Sequence, residues 1–356
     1  MSLVSPCHRT TITDVARATR VSIQTVSAVF HDKPGISEKT RQRVRRAIDR
    51  LHYVPNALAS SLRARRSRTI GVLIPSITNP YFPDFVRGIE DGARRAGYSI
   101  FLCNSDEQRE KEIEYLQVLR QHTVSGFIVA YDLSNRDVER TLLRLLAHHT
   151  PVVTLCSRQI HEGAMVLKTD DRAGALAVTR HLIELGHQRI ALIQPPAGSS
   201  VCVERTEGFL SGLKERGLIL PPEYLVPGGF TIEAGHRGAT YLAALALAPT
   251  AIVSANDLVA IGAICALKDL KIQVPGTMSV TGFDDIRMAS LVDPALTTIA
   301  QPTYRMGQAA LEAILEKLAN PRGRGRVLNF ETSLVRRDST AAPPMERSPL
   351  RKKKQS

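Results

Sequence analysis

The sequence predicts an N-terminal all-α helix-turn-helix head with a hinge helix, followed by a two-lobed α/β body of doubly wound parallel sheets. Residues 11–51 hold three short segments with apolar residues at helical spacing. From residue 69, short apolar runs alternate with amphipathic stretches, which is typical of parallel sheets covered by helices on both faces. The alternation restarts at residue 171 and so indicates a second lobe.

Capping residues delimit the three predicted head helices. Thr11 begins the first, with Asp14 as its capping-box partner. Ser22 begins the second helix, predicted at residues 23–30, and Ser37 begins the third. The faces expected to point inward are Ile12, Val15 and Ala16 on the first helix, Val26, Val29 and Phe30 on the second, and Val44, Ala47, Ile48 and Leu51 on the third.

Two helices joined by a tight turn form a DNA-reading unit whose second helix lies in the major groove. The pattern alone leaves an unrelated three-helix bundle open. Charge favours the DNA-reading unit: residues 1–68 hold 14 Lys and Arg against 4 Asp and Glu, and residues 336–356 hold 7 against 2, which leaves −2 of the total +13 for the body. A basic head on a nearly neutral body is typical of nucleic-acid binding by the head.

The head resembles the lactose-repressor/galactose-repressor (LacI/GalR) family of bacterial transcription regulators. The matching strings are TDVA at 13–16, VSIQTVS at 21–27, SEKTR at 37–41 and YVPNALA at 53–59, and the resemblance continues to about residue 338. It implies a periplasmic-binding-protein-like body, a homodimer and a near-palindromic double-stranded DNA operator. The expected domains are 1–54 for DNA binding, 55–68 for the hinge helix and basic linker, and 69–338 for effector binding and dimerisation, with lobe 1 at about 69–168 and 296–325, lobe 2 at about 169–295 and 326–338, and a disordered basic tail at 339–356.

Two residues depart from the family pattern. Arg20 stands where the family usually has glycine, so we expect a left-handed residue in the turn at a cost of roughly 1 kcal/mol. Ala28 stands where the family usually has arginine, which removes a bidentate contact to guanine. The operator is therefore expected to differ from those of arginine-bearing relatives at that base pair.

The resemblance assigns DNA contacts to the second helix. Ile23, Gln24 and Ala28 are expected at base edges, where Gln24 could bond to adenine and the other two could contact thymine methyl groups. The hydroxyl groups of this helix are expected at phosphates. The full predicted DNA-binding set is Thr11, Ile12, Ser22, Ile23, Gln24, Thr25, Ser27, Ala28, Tyr53, Asn56, Ala59 and Leu62.

Residues 55–62 form the predicted hinge helix. Pro55 suits the first turn of a helix, and eight residues are too few for a stable isolated helix in water. In the family this segment becomes helical on DNA, two copies side by side in the minor groove, and a leucine that Leu62 matches inserts between base pairs. An ordinary solvated linker is the alternative.

The resemblance also implies an effector site between the lobes, beyond the carboxyl ends of the strands. Arg205 stands in the family motif Arg-x-x-Gly-Phe, and its guanidinium offers five donors to sugar hydroxyls or a carboxylate. A surface arginine and core aromatic residues are the alternatives, and Asp257 could cap a helix while Asn256 contacts the ligand. The predicted effector-binding set is Tyr81, Phe82, Arg205, Phe230, Asn256, Asp284 and Gln301.

This set favours a sugar or sugar derivative as effector, with a purine as second choice. Cys156 and Val201 stand where relatives often carry aspartate and Ser or Thr, which makes a lactose-like specificity doubtful. The protein is therefore expected to be an effector-controlled transcriptional regulator, most simply a repressor. A purine-responsive regulator of the same family is one alternative, and a sugar-binding receptor or enzyme without a DNA role is another.

Other classes of protein find little support in the sequence. No apolar run approaches the ~20 residues of a membrane span and no signal peptide is apparent, so we expect a cytoplasmic protein, nucleoid-associated when bound to its operator. Five scattered cysteines fit reduced thiols better than a zinc site. Because phosphate-loop, zinc-protease and serine-hydrolase motifs are missing, we expect no enzyme activity, no metal and no cofactor, and a structural role for His187.

Overall fold

The computed structural model describes residues 10–30, 32–53, 67–122, 124–130, 135–155, 161–197 and 199–344. The chain divides into two compact units, one up to Ser67 and one from Arg68 onward. The predicted hinge residues Asn56, Ala59 and Leu62 lie outside the described residues, as does Cys156. The predicted fold class, a helical head followed by an α/β body with parallel sheets, is confirmed.

Within its described residues, the first unit contains three helices: α1 (Ile12–Thr19), α2 (Ile23–Phe30) and α3 (Glu38–Arg50). Their predicted inner faces are confirmed except at Phe30, which is 44% exposed. Phe30 is the last residue of α2, and its side chain points about 100° around the helix axis from that of the buried Val29. Val26 and Val29 already occupy the face of α2 that packs on the other helices. The buried core consists of Val15, Ala16, Val26, Val29, Val44 and Ala47.

Local hydrogen bonds begin these helices at the predicted residues. A carboxylate oxygen of Asp14 accepts from the Thr11 amide at 2.9 Å. The hydroxyls of Ser22 and Ser37 each accept from the amide three residues later, at 3.1 and 3.4 Å. Arg20 has φ 51° and ψ 45°, the left-handed conformation predicted for the turn. The left-handed conformation predicted for Arg20 is therefore confirmed.

The second unit alternates strands and helices. Its first half contains β1 (Thr69–Ile74), α4 (Tyr81–Arg95), β2 (Ser99–Asn104), α5 (Arg109–Gln121), β3 (Gly126–Ala130), α6 (Arg136–Ala147), β4 (Val152–Leu155) and β5 (Met165–Thr169). Its second half contains α7 (Asp171–Glu184), β6 (Ile190–Ile193), α8 (Ser200–Glu215), β7 (Leu225–Val226), α9 (Ile232–Ala243), β8 (Ala251–Ser254), α10 (Asp257–Asp269), β9 (Ser279–Thr281), β10 (Thr298–Ala300), α11 (Thr303–Ala319), β11 (Val327–Phe330) and β12 (Ser333–Val335).

Each lobe is built on its own parallel sheet. Lobe 1 has the strand order β11-β5-β4-β3-β1-β2, with α4 and α11 on one face and α5 and α6 on the other. Lobe 2 has the order β7-β6-β8-β9, with α9 and α10 on one face and α7 and α8 on the other. The two doubly wound units predicted from the alternation are therefore present. The apolar runs at residues 69–74, 99–104, 126–130, 152–155, 189–194, 251–254, 279–283 and 327–334 predict the strands of these sheets except β5 and β7.

The apolar residues at 327–334 predict one last strand, and the structure has two strands there, β11 and β12. The chain leaves one sheet after β11, which pairs with β5, and joins another at β12, which pairs with β10. Residues 327–330 therefore lie in lobe 1, where the prediction had lobe 2. Thr297 forms a bridge to Thr281 of lobe 2, although residues 296–325 were predicted in lobe 1. The lobe to which a strand belongs is decided by the sheet in which it pairs. Pairing between residues that are distant in the sequence leaves no local pattern from which the lobe could be predicted.

The predicted disordered tail begins too early at residue 339. Ser339 is fully buried, and its hydroxyl accepts from the Thr297 amide at 2.8 Å and donates to the Val280 carbonyl at 2.6 Å. A ring nitrogen of His187 lies 2.9 Å from the carbonyl oxygen of Ala341, which supports the structural role predicted for this histidine. Residues 339–344 thus pack on lobe 2 despite their proline-rich composition.

Candidate functional site

The exposed side of α2 is the candidate nucleic-acid surface. Ser22, Ile23 and Gln24 are exposed, and Ile23 is so to 37% although it is a large apolar side chain. The hydroxyls of Ser22 and Thr25 lie 2.9 Å apart. Ala28 is half-buried further along the helix. Side by side on one helix, these groups can contact phosphates, base edges and thymine methyl groups.

The other predicted head contacts are distributed around this helix. Thr11 is exposed and Ile12 is half-buried at the start of α1, and Ser27 is half-buried on α2. Tyr53 packs against the head core, so only part of its side chain is accessible.

An ionic cluster holds the turn between α2 and α3. The carboxylate of Asp32 lies 3.1 Å from Arg41 and 2.6 Å from Arg45, and Arg41 also donates to the Lys33 carbonyl at 2.9 Å. Asp32 has φ 47°, a left-handed residue stabilised by these bonds. The cluster therefore fixes how α3 supports the exposed helix.

A cavity of about 340 Å³ lies between the two lobes. Its wall takes residues from the connection between β1 and α4, the end of β5, the starts of α7 and α8, and the segments after β7 and β9. These are the carboxyl ends of parallel strands, where open α/β sheets bind ligands. Six of the seven predicted effector residues line it, namely Tyr81, Phe82, Arg205, Phe230, Asp284 and Gln301.

Aromatic rings form one part of the wall. The rings of Tyr81 and Phe82 stand edge to face, with centroids 5.1 Å apart and an angle of 80° between their planes. The side-chain oxygen of Asn79 accepts from the Tyr81 amide at 3.2 Å and so fixes the start of α4. Burial, followed by the negative charges of Asp284 and Asp171, raises the pKa of the Tyr81 phenol. Tyr81 is therefore a neutral hydroxyl that can donate or accept.

Arg205 is buried at the centre of the lobe 2 wall. Its Nε donates to Asp171 at 2.7 Å, its second nitrogen to the Ala255 carbonyl at 2.5 Å, and its third lies 3.5 Å from Asp284. The guanidinium also stacks on the ring of Phe283, 3.6 Å from the centroid. Arg205 therefore orients the carboxylates of Asp171 and Asp284, in addition to any hydrogen bond that it donates to a ligand.

Close helix packing explains the glycine of the Arg-x-x-Gly-Phe motif. A Cβ on Gly208 would lie 2.2 Å from the backbone carbonyl oxygen of Arg172 on α7. Only glycine lets α8 approach α7 this closely, while the next residue, Phe209, is fully buried between the helices and the sheet. The motif thus places Arg205 against Asp171 at the start of α7.

Asp284 combines burial with a left-handed backbone. Its φ is 113° and that of Asp285 is 56°, conformations that cost of order 1–3 kcal/mol each for residues other than glycine. The Gln301 amide donates to Asp284 at 2.7 Å. Burial raises the pKa of Asp284 to about 6, against the opposing effects of Arg205 and Gln301. This carboxyl is therefore available at neutral pH as an acceptor for ligand hydroxyl or N–H groups.

The prediction that Asn256 contacts the effector is not supported by its position. Its side-chain oxygen accepts from the Val259 amide at 3.0 Å and caps α10, and Asn256 does not line the cavity. Asp257, considered as the cap, is instead fully buried and accepts from the Thr298 hydroxyl at 2.5 Å and the Ile286 amide at 2.8 Å. Asn256 supplies the cap because it precedes the first helical residue, where a side-chain oxygen reaches the free amides.

The sequence analysis missed several polar residues of the wall. Lys168 and Thr169 end β5, and Asp171 begins α7 directly afterwards. They were missed because β5 was not recognised, although the apolar run at 164–167 ahead of the capping residue Asp170 was a usable signal. The wall also contains the polar residues Asn79, Glu107, Arg109, Glu112, Asn135, Ser199, Ser200 and Glu204, together with Val201, whose position the resemblance had pointed to.

The described ranges hold neither a membrane-spanning helix nor a metal-binding cluster. None of the helices there is long and apolar enough to cross a bilayer. No group of three or more His, Cys, Asp or Glu residues among them is placed to hold a metal ion. Cys103, Cys202 and Cys265 are free thiols.

Comparisons with known proteins agree with this architecture. The model of bacterial regulatory proteins of the lacI family matches residues 11–56, and that of a periplasmic binding protein-like domain matches residues 179–340. The chain is 34% identical over 331 residues to the HTH-type transcriptional repressor PurR of Photobacterium profundum, which covers 92% of this chain and 98% of the relative.

Solved structures lead to the same family. The lac repressor dimer bound to operator and the anti-inducer ONPF has a TM-score of 0.82 and 28% identity over 94% of this chain and 99% of that chain. A LacI family transcriptional regulator from Enterococcus faecium with bound ribose has a TM-score of 0.70 and 32% identity over 78% of this chain and 100% of that chain. The chain therefore belongs to the lacI family of bacterial regulatory proteins, as a DNA-binding transcriptional repressor and not an enzyme.

Proposed function

We propose that this repressor binds a near-palindromic operator as a homodimer and that a small uncharged sugar, held in the cavity between the lobes, controls its affinity for DNA. The observation that carries the proposal is that aromatic rings and a buried network of Arg205, Asp171, Asp284 and Gln301 line the same cavity. A sugar ring offers an apolar face for the rings and hydroxyl groups for the network. Such a repressor works in the cytoplasm, associated with the nucleoid while it occupies its operator.

The sugar changes DNA affinity only if it binds two lobe arrangements with different affinity. The lining of the cavity supports such control, because it takes residues from both lobes: Tyr81 and Phe82 from lobe 1, Arg205 and Asp284 from lobe 2. A ligand that touches both walls favours the arrangement in which both are within reach. The regulator with bound ribose supports a sugar as the ligand.

A purine is the second candidate effector. The repressors named PurR, 34% identical to this chain, favour it. The aromatic side chains Tyr81, Phe82 and Phe230 offer faces and edges to a planar heterocycle as well as to a sugar. Asp284 and Gln301 could accept from and donate to its ring edge. The two candidates differ in which ligands bind, so one experiment separates them.

Calorimetric titration of the full chain against aldopentoses, aldohexoses, hypoxanthine and guanine tests the site. We expect binding by one sugar and at least tenfold weaker binding after Asp284→Asn, because an amide cannot replace a carboxylate acceptor. Asp269→Asn, which removes an exposed carboxylate on α10, is the matched control and should leave affinity unchanged. Tight ligand binding that survives Asp284→Asn would contradict the proposed site. Binding of a purine, with no binding of any sugar, would show that the effector is a purine.

For the operator, we propose that Gln24 reads adenine and that Ile23 and Ala28 contact thymine methyl groups. The exposure of Ile23 and Gln24 on α2 supports this assignment. Selection from random DNA with the wild-type chain and Ala28→Arg should return half-sites that differ at one base pair, with guanine entering for the variant. Identical half-sites would contradict the role assigned to residue 28.

The hinge residues Asn56, Ala59 and Leu62 complete the proposed DNA interface. We propose that Leu62 inserts into the minor groove, where an apolar wedge bends the duplex. Leu62→Ser should then reduce both operator affinity and the bend measured by gel mobility. Unchanged affinity and bend would contradict the hinge assignment.

A further inference from the structure

An ion pair crosses the cavity from one lobe to the other. Lys168 ends β5 in lobe 1 and Glu204 lies on α8 in lobe 2, with their charged atoms 3.0 Å apart. Both side chains line the cavity, and they are 31% and 20% exposed. The two charged groups are therefore partly shielded from water, and charges interact more strongly there than in water. A ligand that enters the cavity comes close to this pair.

The wall carries more negative than positive charge. Glu107, Glu112, Asp171, Glu204 and Asp284 provide five carboxyl groups against the three cations Arg109, Lys168 and Arg205. Arg205 is engaged by Asp171 and Asp284, and Lys168 by Glu204. The helix starts are also occupied: Asp170 caps α7 and Ser199 caps α8. An anionic ligand group would thus meet carboxylates, and two of the three cations, Arg205 and Lys168, already hold partners.

We infer that the Lys168–Glu204 pair is a charge filter of the effector site, in which Glu204 engages the cation that a phosphoryl group would need. The cavity accordingly takes an uncharged sugar and rejects its phosphorylated form. Lys168 and Glu204 thereby determine the specificity for the uncharged over the phosphorylated sugar, whereas Asp284 and Gln301 form hydrogen bonds with the hydroxyl groups of the sugar ring. The inference rests on the proposed effector role of the cavity.

Inorganic phosphate tests the filter without knowledge of the effector. We would titrate phosphate calorimetrically into the full wild-type chain, Glu204→Gln, Lys168→Met and the double variant. Glu204→Gln should bind phosphate about tenfold more tightly than the wild type, because Lys168 is released into the cavity. The double variant should lose this gain. Phosphate bound elsewhere on this basic protein is common to all variants and cancels in the comparison.

Glu207→Gln is the matched control, since it removes an exposed carboxylate from the same helix and changes the net charge equally. It should leave phosphate binding at the wild-type level. Equal phosphate affinity in the wild type and Glu204→Gln, or a gain that persists in the double variant, would overturn the inference.

D-ribose and D-ribose 5-phosphate provide a second measurement. Wild-type chain that binds the phosphorylated sugar more tightly than the free sugar, with both affinities lost in Asp284→Asn, would overturn the filter while leaving the cavity as the effector site. Preference for the free sugar by at least about tenfold, reduced in Glu204→Gln, would support it. The phosphate titration needs no effector, so its failure counts against the filter and not against the proposed function.

Discussion

Hydrogen-bonding side chains behave differently in the head and in the body. In the head, Thr11 bonds to Asp14, Ser22 to Thr25 and Ser37 to Thr40, all three residues apart and all exposed. In the body, Ser339 bonds to Val280, Asp257 to Thr298 and Arg205 to Ala255, which are 41 to 59 residues apart and buried. The body also has local caps, at Asp170, Ser199 and Asn256, but its buried side chains join distant segments in addition.

This difference sets how each region responds to mutation. An exposed cap that is lost can be replaced by water, so the cost is small. A buried polar group left without its partner pays its full desolvation penalty. We therefore expect body variants to lose more stability than head variants of the same chemistry.

The largest effect is expected for Arg205→Ala. The substitution leaves Asp171 and Asp284 as buried carboxylates without their cation, and breaking such a pair costs about 3–5 kcal/mol. Urea unfolding followed by circular dichroism measures this loss. Arg216→Ala removes an exposed arginine at the end of the same helix and should change stability by less than about 0.5 kcal/mol. Equal stability of the two variants would remove the contrast between buried and exposed charges.

The second-largest loss of stability is expected for Ser339→Ala. It removes a hydroxyl that accepts from Thr297 and donates to Val280, both buried, at a cost of about 1–3 kcal/mol. Ser333→Ala, on the exposed side of β12, is the control and should be nearly neutral. Chemical unfolding of both variants would show whether residues after Asp338 belong to the folded body. A neutral Ser339→Ala would contradict this.

Asp284 should make stability depend on pH. Because burial raises its folded-state pKa to about 6, above the unfolded value of 3.8, its contribution to the free energy of unfolding is present below about pH 4 and is lost as pH rises through 6. The stability difference between wild type and Asp284→Asn should therefore fall between about pH 4 and 7, by at most about 1.4 kcal/mol per pH unit. A difference that stays constant with pH would contradict the raised pKa.

The smallest effect is expected for Ser37→Ala in the head. Loss of this exposed cap of α3 should cost about 1 kcal/mol, measured on the unfolding of the head. Ser37→Asp should restore the cap, since an Asp oxygen reaches the same amide and its charge favours the helix start. If Ser37→Ala destabilised as much as Ser339→Ala, local and long-range hydrogen bonds would not differ in the way proposed.

The cavity shows where sequence reasoning reached its limit. Arg205 was located from its motif, and Tyr81 and Phe82 from a loop between a recognised strand and helix. Lys168 and Asp171 were missed because they lie in and directly after the unrecognised strand β5. Glu204 was missed because its pairing with Lys168 exists only once the two lobes face each other. Asn256 was placed in the cavity because a sequence position does not reveal whether a side chain caps a helix or faces a ligand.

The sequence by itself determined the starts of the three head helices, the left-handed Arg20, most strands of both lobes and the family, since each depends on residues a few positions apart or on motifs of fixed spacing. The tertiary structure alone decided the membership of β11 in lobe 1, the burial of Ser339 and the pairing of Lys168 with Glu204. These features join segments tens of residues apart, and their energy comes from desolvated contacts that exist only once the chain has folded.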